Sequence, residues 1–338
     1  MPIRNGSQYI SGLRDGREVW YGGEKVADVT KFPQFEAAVR SIAELYDMQH
    51  EPDTRELLVC HSEEVGQEVG RAFQIPRTAD DLRLKREAYF AWAQANCGMV
   101  GRSPDFLNVM LAALAAKKSF FAEDSAERAN NVFEYYRFVA RNDLFMTHAL
   151  LDPQLDKGKL RNEQSDPAIC LQVVDENENG IVLSGIKRIA TAAPYADELL
   201  VWPFPPTFQR GEESYANVFA IPMNTKGLKT ICRPSFSNIG TTRDFPLSSR
   251  FDEMDATVVF EDVLIPWDRV FVYKNVSLLN RMYRDSRMRE LTAHQTNARL
   301  EAKLGFVYAV VQRLAEAQGM EGRPEIMEML GEAAVKIE

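Results

Sequence analysis

Ile169-Cys-Leu-Gln-Val-Val174, then Glu176-Asn-Glu-Asn-Gly180, then Ile181-Val-Leu-Ser-Gly-Ile-Lys-Arg-Ile189 is the stretch on which the fold turns. Two runs rich in β-branched residues flank a polar turn ending in glycine, the pattern of adjacent strands. From about residue 168 onward the periodicity is strand-like, with further strands expected at Glu198–Trp202, Tyr215–Ile221, Leu228–Cys232, Ala256–Phe260 and Val270–Tyr273. No helical runs separate them. That spacing predicts an antiparallel sheet or barrel and not a doubly wound parallel sheet. Pro203–Ser214, with three prolines in its first half, predicts a loop long enough to act as a lid.

Outward from this centre the pattern is helical. Val39, Ile42 and Leu45 follow Phe35 at helical spacing, and Thr78 with Asp81 forms a capping-box-like start before Leu82, Tyr89 and Ala93. Glu18-Val-Trp-Tyr, Gly22-Gly23 and Glu24-Lys-Val predict one small hairpin within Arg17–Val29. Arg281–Gln318 predicts a long helix with Leu300, Leu304, Val307, Val311 and Leu314 on one face, and a further helix runs to Glu338 without a stop signal, as if the last domain were cut short. The expected fold is therefore α+β: residues 1–145 a helical domain with a small hairpin, 146–275 a β domain, and 276–338 the start of a helical bundle.

A net charge of −9 over 338 residues argues against nucleic acid as the main partner, because phosphate binding needs a concentrated basic surface. No window reaches the length of a membrane span, and the first residues lack a signal peptide's apolar segment, so a cytoplasmic protein is expected. Cys60, Cys97, Cys170 and Cys232 stand far apart without a CxxC, and the four histidines form no close ligand pair, so no metal is expected.

Two segments put polar groups at the edges of apolar runs: Gly101-Arg-Ser-Pro-Asp-Phe106, before an apolar helix, and Thr147-His-Ala-Leu-Leu-Asp-Pro-Gln154. His148 reads as closing a helix that carries Phe138, Leu144 and Phe145. A fixed cation and an imidazole facing one dry cavity suit a phenolic or other weakly acidic oxygen. Blander readings compete: Arg102 as a helix-entry residue paired with Asp105, His148 as a helix C-cap, Thr191 as an ordinary strand residue, and His294 as a satisfied histidine on a helix face. Arg250, Asp252 and Glu253 form a charged cluster that could anchor flavin or substrate but reads rather as pinning the β domain to its neighbour through ion pairs, and Phe133, Tyr135, Tyr136 and Phe138 read as helix core.

The sequence resembles the 4-hydroxyphenylacetate 3-hydroxylase family, oxygenase components of two-component flavin monooxygenases within the acyl-CoA dehydrogenase-like flavoproteins. The resemblance runs through GSQYISGLRDGREVWYGGEKVADV (6–29), GRSPDFLN, THALLDPQLDK, SGIKRIATAAPYADELLVWP and PLSSRFDEMDATVVFEDVLIPWDRVF to His294–Phe306. It implies Arg102 and His148 as catalytic residues holding the phenol oxygen, with Phe106 where the family motif has tyrosine, and His294 as a further substrate contact. It also implies flavin contacts at His148, Ala149, Leu150, Leu151, Gln154, Leu155, Asp156, Lys157 and Thr191. The implied cofactor is non-covalent FAD, delivered as FADH2 by a separate NAD(P)H-dependent reductase, and the implied reaction is O2-dependent hydroxylation of a phenol ortho to its hydroxyl by a homotetramer or dimer. A catalytically impaired flavin-binding homologue is the alternative. A 4-hydroxybutyryl-CoA dehydratase-like enzyme is disfavoured, because Gly101 and Glu301 stand where its iron–sulfur cluster needs thiolates.

Overall fold

The structure, a computed structural model, describes residues 3–153, 156–204, 207–237 and 240–337. Asn5 accepts the Gln8 N–H and starts α1 (Gly6–Gly12). The expected hairpin follows as β1 (Glu18–Tyr21) and β2 (Glu24–Lys25), turning on Gly22 and Gly23 at φ 59° and 88°, where a side chain would be strained. Helix α2 (Glu36–Met48) buries Val39, Ile42 and Leu45, the residues whose spacing predicts it. Short α3 (Arg55–Leu58) leads into a second hairpin, β3 (Val59–Ser62) and β4 (Gln67–Gly70), which the sequence reading misses. Its strands alternate over too few apolar residues to stand out.

Thr78 and Asp81 cap α4 (Ala79–Ala95) reciprocally, as their spacing predicts. Helix α5 (Pro104–Ala116) is buried from Pro104 to Ala115, so the helical layer is built around it. Two helices follow, α6 (Lys118–Phe121) and α7 (Ala126–Asn142), the second capped by the Ser125 hydroxyl and burying Tyr135 and Tyr136. Phe138 lies 39% exposed, so only part of the expected aromatic core is core. Asp143 ends α7 in the left-handed conformation at φ 49°. The chain then enters β5 (Met146–Ala149), which contains His148. The expectation that His148 closes a helix is corrected: α7 has already stopped, and His148 is a buried strand residue with no helix end to cap.

The remaining strands are β6 (Gln172–Asn177), β7 (Gly180–Thr191), β8 (Glu198–Val201), β9 (Val218–Pro222), β10 (Leu228–Cys232), β11 (Asp255–Pro266) and β12 (Val270–Val272), with α8 (Ser248–Phe251) ahead of β11. They form a six-stranded sheet, β2-β1-β10-β11-β7-β6, and a four-stranded sheet, β12-β9-β8-β5. Most pairs are antiparallel as expected, but β1/β10 and β5/β8 are parallel. The first joins a strand of the helical segment to one of the β segment, the second joins two strands within the β segment, and both span the long connection that parallel pairing requires.

The continuous helix expected over Arg281–Gln318 is also corrected. It is two helices, α9 (Val276–Asp285) and α10 (Met288–Ala317), broken at Arg287 with φ 62°. Helix α10 packs on α4 and α5 through buried Thr292, Gln295, Ala298 and Ala302. On the apolar face of α10 Leu300, Val307, Val311 and Leu314 are exposed, and α11 (Pro324–Ile337) buries no residue. Among the described residues no helix is long and apolar enough to cross a membrane.

Asp197 sets the position of β5. Its carboxylate accepts Arg4 Nη1 at 2.6 Å and the Phe145 N–H at 2.8 Å, while its own N–H donates to the Phe145 carbonyl at 2.8 Å. The parallel register that follows sets His148 opposite Leu200. Asp197→Ala leaves a nearly buried guanidinium without its carboxylate, and urea unfolding at pH 7 should show a loss of about 3 kcal/mol. A loss under about 1 kcal/mol, the scale of a surface pair, contradicts this reading.

Candidate active site

Val100 and the buried α5 dictate where Arg102 goes. Ser103 stands at the helix N-cap with Pro104 at the first helical position, so Arg102 immediately precedes the cap and its side chain projects across the seam between helices and sheet. Arg102 Nε donates to His148 Nε2 at 3.0 Å, and Arg102 Nη1 donates to the Gly101 carbonyl at 3.2 Å. Asp105 does not pair with Arg102. It accepts from the Ser103 hydroxyl and from Gln295 Nε2, so the bland reading of Arg102 fails on its proposed partner.

Aromatic rings close around this contact. The Arg102 guanidinium lies over the Phe106 ring at 4.1 Å, and the His148 ring lies 6.2 Å from Phe106 and 5.6 Å from Trp202, centroid to centroid. The sequence reading names Arg102, Phe106 and His148 but not Trp202, since every residue of β8 is buried and no alternation marks the residue after it.

Because Arg102 donates to Nε2, the neutral imidazole carries its proton on Nδ1. Burial and then the Arg102 charge hold the His148 pKa at about 3, so the ring is neutral at physiological pH. Burial also lowers the Arg102 pKa from its ordinary value, opposed by the charge of Glu253. His148 Nδ1 and Trp202 Nε1 are buried without a hydrogen-bond partner among the described residues. Two orphaned donors beside a cation fit a ligand that brings acceptor oxygens or ring nitrogens, as a phenol and an isoalloxazine both do.

Ala149 is buried in β5 and Leu150 and Leu151 follow it, with the Leu151 carbonyl accepting the Arg188 N–H at 2.7 Å. Thr191 ends β7 beside β5: its carbonyl accepts the Thr147 hydroxyl, and its own hydroxyl donates to Asp255 Oδ1 at 2.7 Å. Asp152, not singled out by sequence, accepts Lys187 Nζ and Arg161 Nε at 2.6 Å each and pins the turn after β5. Asp156 and Lys157 sit on an outer turn, while Gln154 and Leu155 lie outside the described residues. His294 is not brought to this cluster. It packs edge-on against Tyr89 of α4 at 5.8 Å, and its neighbour Gln295 is the residue of α10 that faces Asp105.

A family model described as 4-hydroxyphenylacetate 3-hydroxylase N terminal matches residues 5–272. The chain belongs to the 4-hydroxyphenylacetate 3-hydroxylase family. This member is 42% identical, over 99% of its length and 68% of the relative's, to the 4-hydroxyphenylacetate 3-monooxygenase oxygenase component of Thermus thermophilus. It is 41% identical to the Geobacillus protein of the same name, covering 95% of this chain and 65% of that one. It superimposes with a TM-score of 0.93 and 41% identity on a crystal structure of such an oxygenase component complexed with FAD and 4-hydroxyphenylacetate, over 99% of this chain and 69% of that one. The family member thus spans about two thirds of the length of these relatives, and its fold is acyl-CoA dehydrogenase-like.

The His148 environment makes a definite titration prediction. Ring proton NMR, assigned by subtraction of His148→Asn, should show no His148 transition between pH 5 and 8, and Arg102→Ala should move its midpoint upward. A wild-type midpoint near 6.5 contradicts the assignment. The sign for stability follows: the unfolded ring takes a proton near pH 6.5 and the folded ring only near 3, so this group's contribution is lost as pH falls through that window.

Proposed function

We propose that this chain is the oxygenase component of a two-component flavin monooxygenase that hydroxylates a phenol ortho to its hydroxyl, with FADH2 as cofactor and O2 as co-substrate. The observation that carries the reading is the Arg102–His148 contact at 3.0 Å, walled by Phe106 and Trp202, with His148 Nδ1 and Trp202 Nε1 free to donate. A phenol ordinarily ionises near pH 10, and a fixed guanidinium in a water-poor site lowers that value, raising electron density on the ortho carbon. Neutral His148 donates to the phenol oxygen and fixes its direction. It is no base in this state, because Nε2 is already occupied by Arg102. Phe106 contributes a ring face and no hydroxyl, so polar anchoring of the substrate falls to Arg102, His148 and Trp202.

Bound reduced flavin supplies the electrons that activate O2 for transfer of one oxygen atom. His148, Ala149, Leu150, Leu151, Asp156, Lys157 and Thr191 would hold it, together with Gln154 and Leu155. The buried β5 backbone and the Thr147–Thr191 bond give that surface a fixed shape, and the aromatic walls exclude water. That the relatives are oxygenase components supports a separate NAD(P)H-dependent reductase as source of FADH2. We place the reaction in the cytoplasm. Exposed Leu314, Met327, Met329 and Val335 on α10 and α11 support self-association into a dimer or tetramer.

Anaerobic mixing with FADH2, followed by aerated buffer containing a panel of phenols that includes 4-hydroxyphenylacetate, should give catechol products by chromatography. Arg102→Ala should lower the yield by about 100-fold or more, the scale of removing one charge-stabilising donor. Tight FADH2 binding with no product from any phenol overturns the proposal in favour of a non-catalytic flavin-binding role.

A further inference from the structure

Arg102 is a half-buried cation whose position decides the site, yet none of its side-chain hydrogen bonds goes to a carboxylate. The carboxylate nearest to it in the chain's electrostatics, Glu253, spends its hydrogen bonds elsewhere. It accepts the backbone N–H of Arg102, and the Gly101 N–H also faces it. Gly101 is closely approached: a Cβ there would lie 3.3 Å from Glu253 Oε2, so the absence of a side chain lets the carboxylate reach the peptide.

The segment that carries Glu253 is braced on both sides. Asp252 accepts the Phe236 N–H at 2.8 Å, the Ser235 hydroxyl at 2.7 Å and Arg233 Nη2 at 2.7 Å. The Tyr195 hydroxyl donates to the Asp252 carbonyl at 2.8 Å and accepts the Met254 N–H at 2.9 Å, and the Met254 carbonyl accepts the Ala192 N–H at 2.8 Å. Asp255, next along, receives the Thr191 hydroxyl. A rigid strut therefore runs from the Thr191 end of β7 to the start of β11 and presents one carboxylate to the Arg102 loop. From the other side, Arg299 of α10 donates to the Gly98 carbonyl at 3.0 Å, so the loop is held between two elements.

We propose that Glu253 is a positioning residue for the phenol site: it fixes the Gly101–Arg102 backbone without neutralising the guanidinium. The inference rests on the oxygenase reading above. Its physical logic is one of geometry. A carboxylate joined to the guanidinium by paired hydrogen bonds would occupy the donors a phenolate needs, whereas one bonded to the peptide N–H keeps the arginine in place and leaves its charge directed at the ligand. Burial raises the Glu253 pKa, while the Gly101 and Arg102 N–H groups and the Arg102 and Arg299 charges act in the opposite direction.

The test is steady-state hydroxylation by the full chain with enzymatically supplied FADH2, using 4-hydroxyphenylacetate and the other phenols as probes. Glu253→Ala and Glu253→Asp, which cannot reach the loop, should raise KM about 10-fold or more with kcat changed less than about 3-fold, an affinity effect and not a loss of active protein. Glu253→Gln, isosteric and still able to accept one N–H, should restore most of the affinity, within about 3-fold of wild type. Thermal midpoints are measured alongside. A merely structural residue would lower kcat in proportion to folded protein and leave KM unchanged, and that result, or an unchanged KM in a folded Glu253→Asp variant, overturns the proposal. If alanine and aspartate variants do not fold, the glutamine variant decides: a KM below wild type by more than threefold or above it by more than tenfold overturns the acceptor role, and one within threefold above wild type supports it. Arg102→Ala, run in parallel, separates the two levels: no effect there sinks the oxygenase reading, while its effect without one from Glu253 sinks only this inference.

Discussion

One hydrogen bond, from half-buried Arg102 Nε to buried His148 Nε2, ties the helical layer to the sheet at the place where chemistry is proposed. Both partners come from long-range contacts: Arg102 from the entry to α5, His148 from β5, whose register depends on Asp197. Even a half-buried arginine without a bonded carboxylate is costly, and its partial burial accordingly lowers its pKa. The surrounding structure offsets that cost partly through the Phe106 face and partly through the nearby Glu253 charge. What remains is a cation whose natural complement is an anionic oxygen brought by a ligand.

The same bond decides what His148 can do. With Nε2 accepting and the pKa held near 3, the imidazole is a fixed donor and not a proton shuttle over the physiological range. In the proposed reaction, electrostatic work on the phenol would belong to Arg102, direction to His148 and Trp202, and dryness to the aromatic walls. This division of labour suits a reaction in which the reactive oxygen is generated on a cofactor and the protein's part is orientation and exclusion of water.

Much of this was readable in the residues. The change of period near residue 168, the Gly22-Gly23 turn and the Thr78–Asp81 cap are local signals, and local physics produced the elements they predict. The parallel pairings of β1 with β10 and β5 with β8 were not readable, because partner choice between residues as distant as Glu18 and Lys229, or Met146 and Glu198, leaves no periodic trace. The helix break at Arg287 was equally hidden, since a left-handed arginine carries no glycine to announce it. Within the site, Arg102, Phe106 and His148 came from motif context, and the structure brings them together. His294 did not follow, because its helix turns Gln295 toward Asp105 and His294 toward Tyr89. Trp202 sits in an unbroken apolar run that gives no sign of a site, and Glu253, legible as part of a charged cluster, carries no sequence signal for its place against the Arg102 peptide.

A double-mutant cycle on phenol affinity tests the central claim most directly, using Arg102→Ala, His148→Ala and the double variant in FADH2-loaded protein held anaerobic. If the two side chains act as one unit, their effects on Kd are non-additive by about 1 kcal/mol or more. Additivity within about 0.5 kcal/mol would show two independent groups and contradict the account.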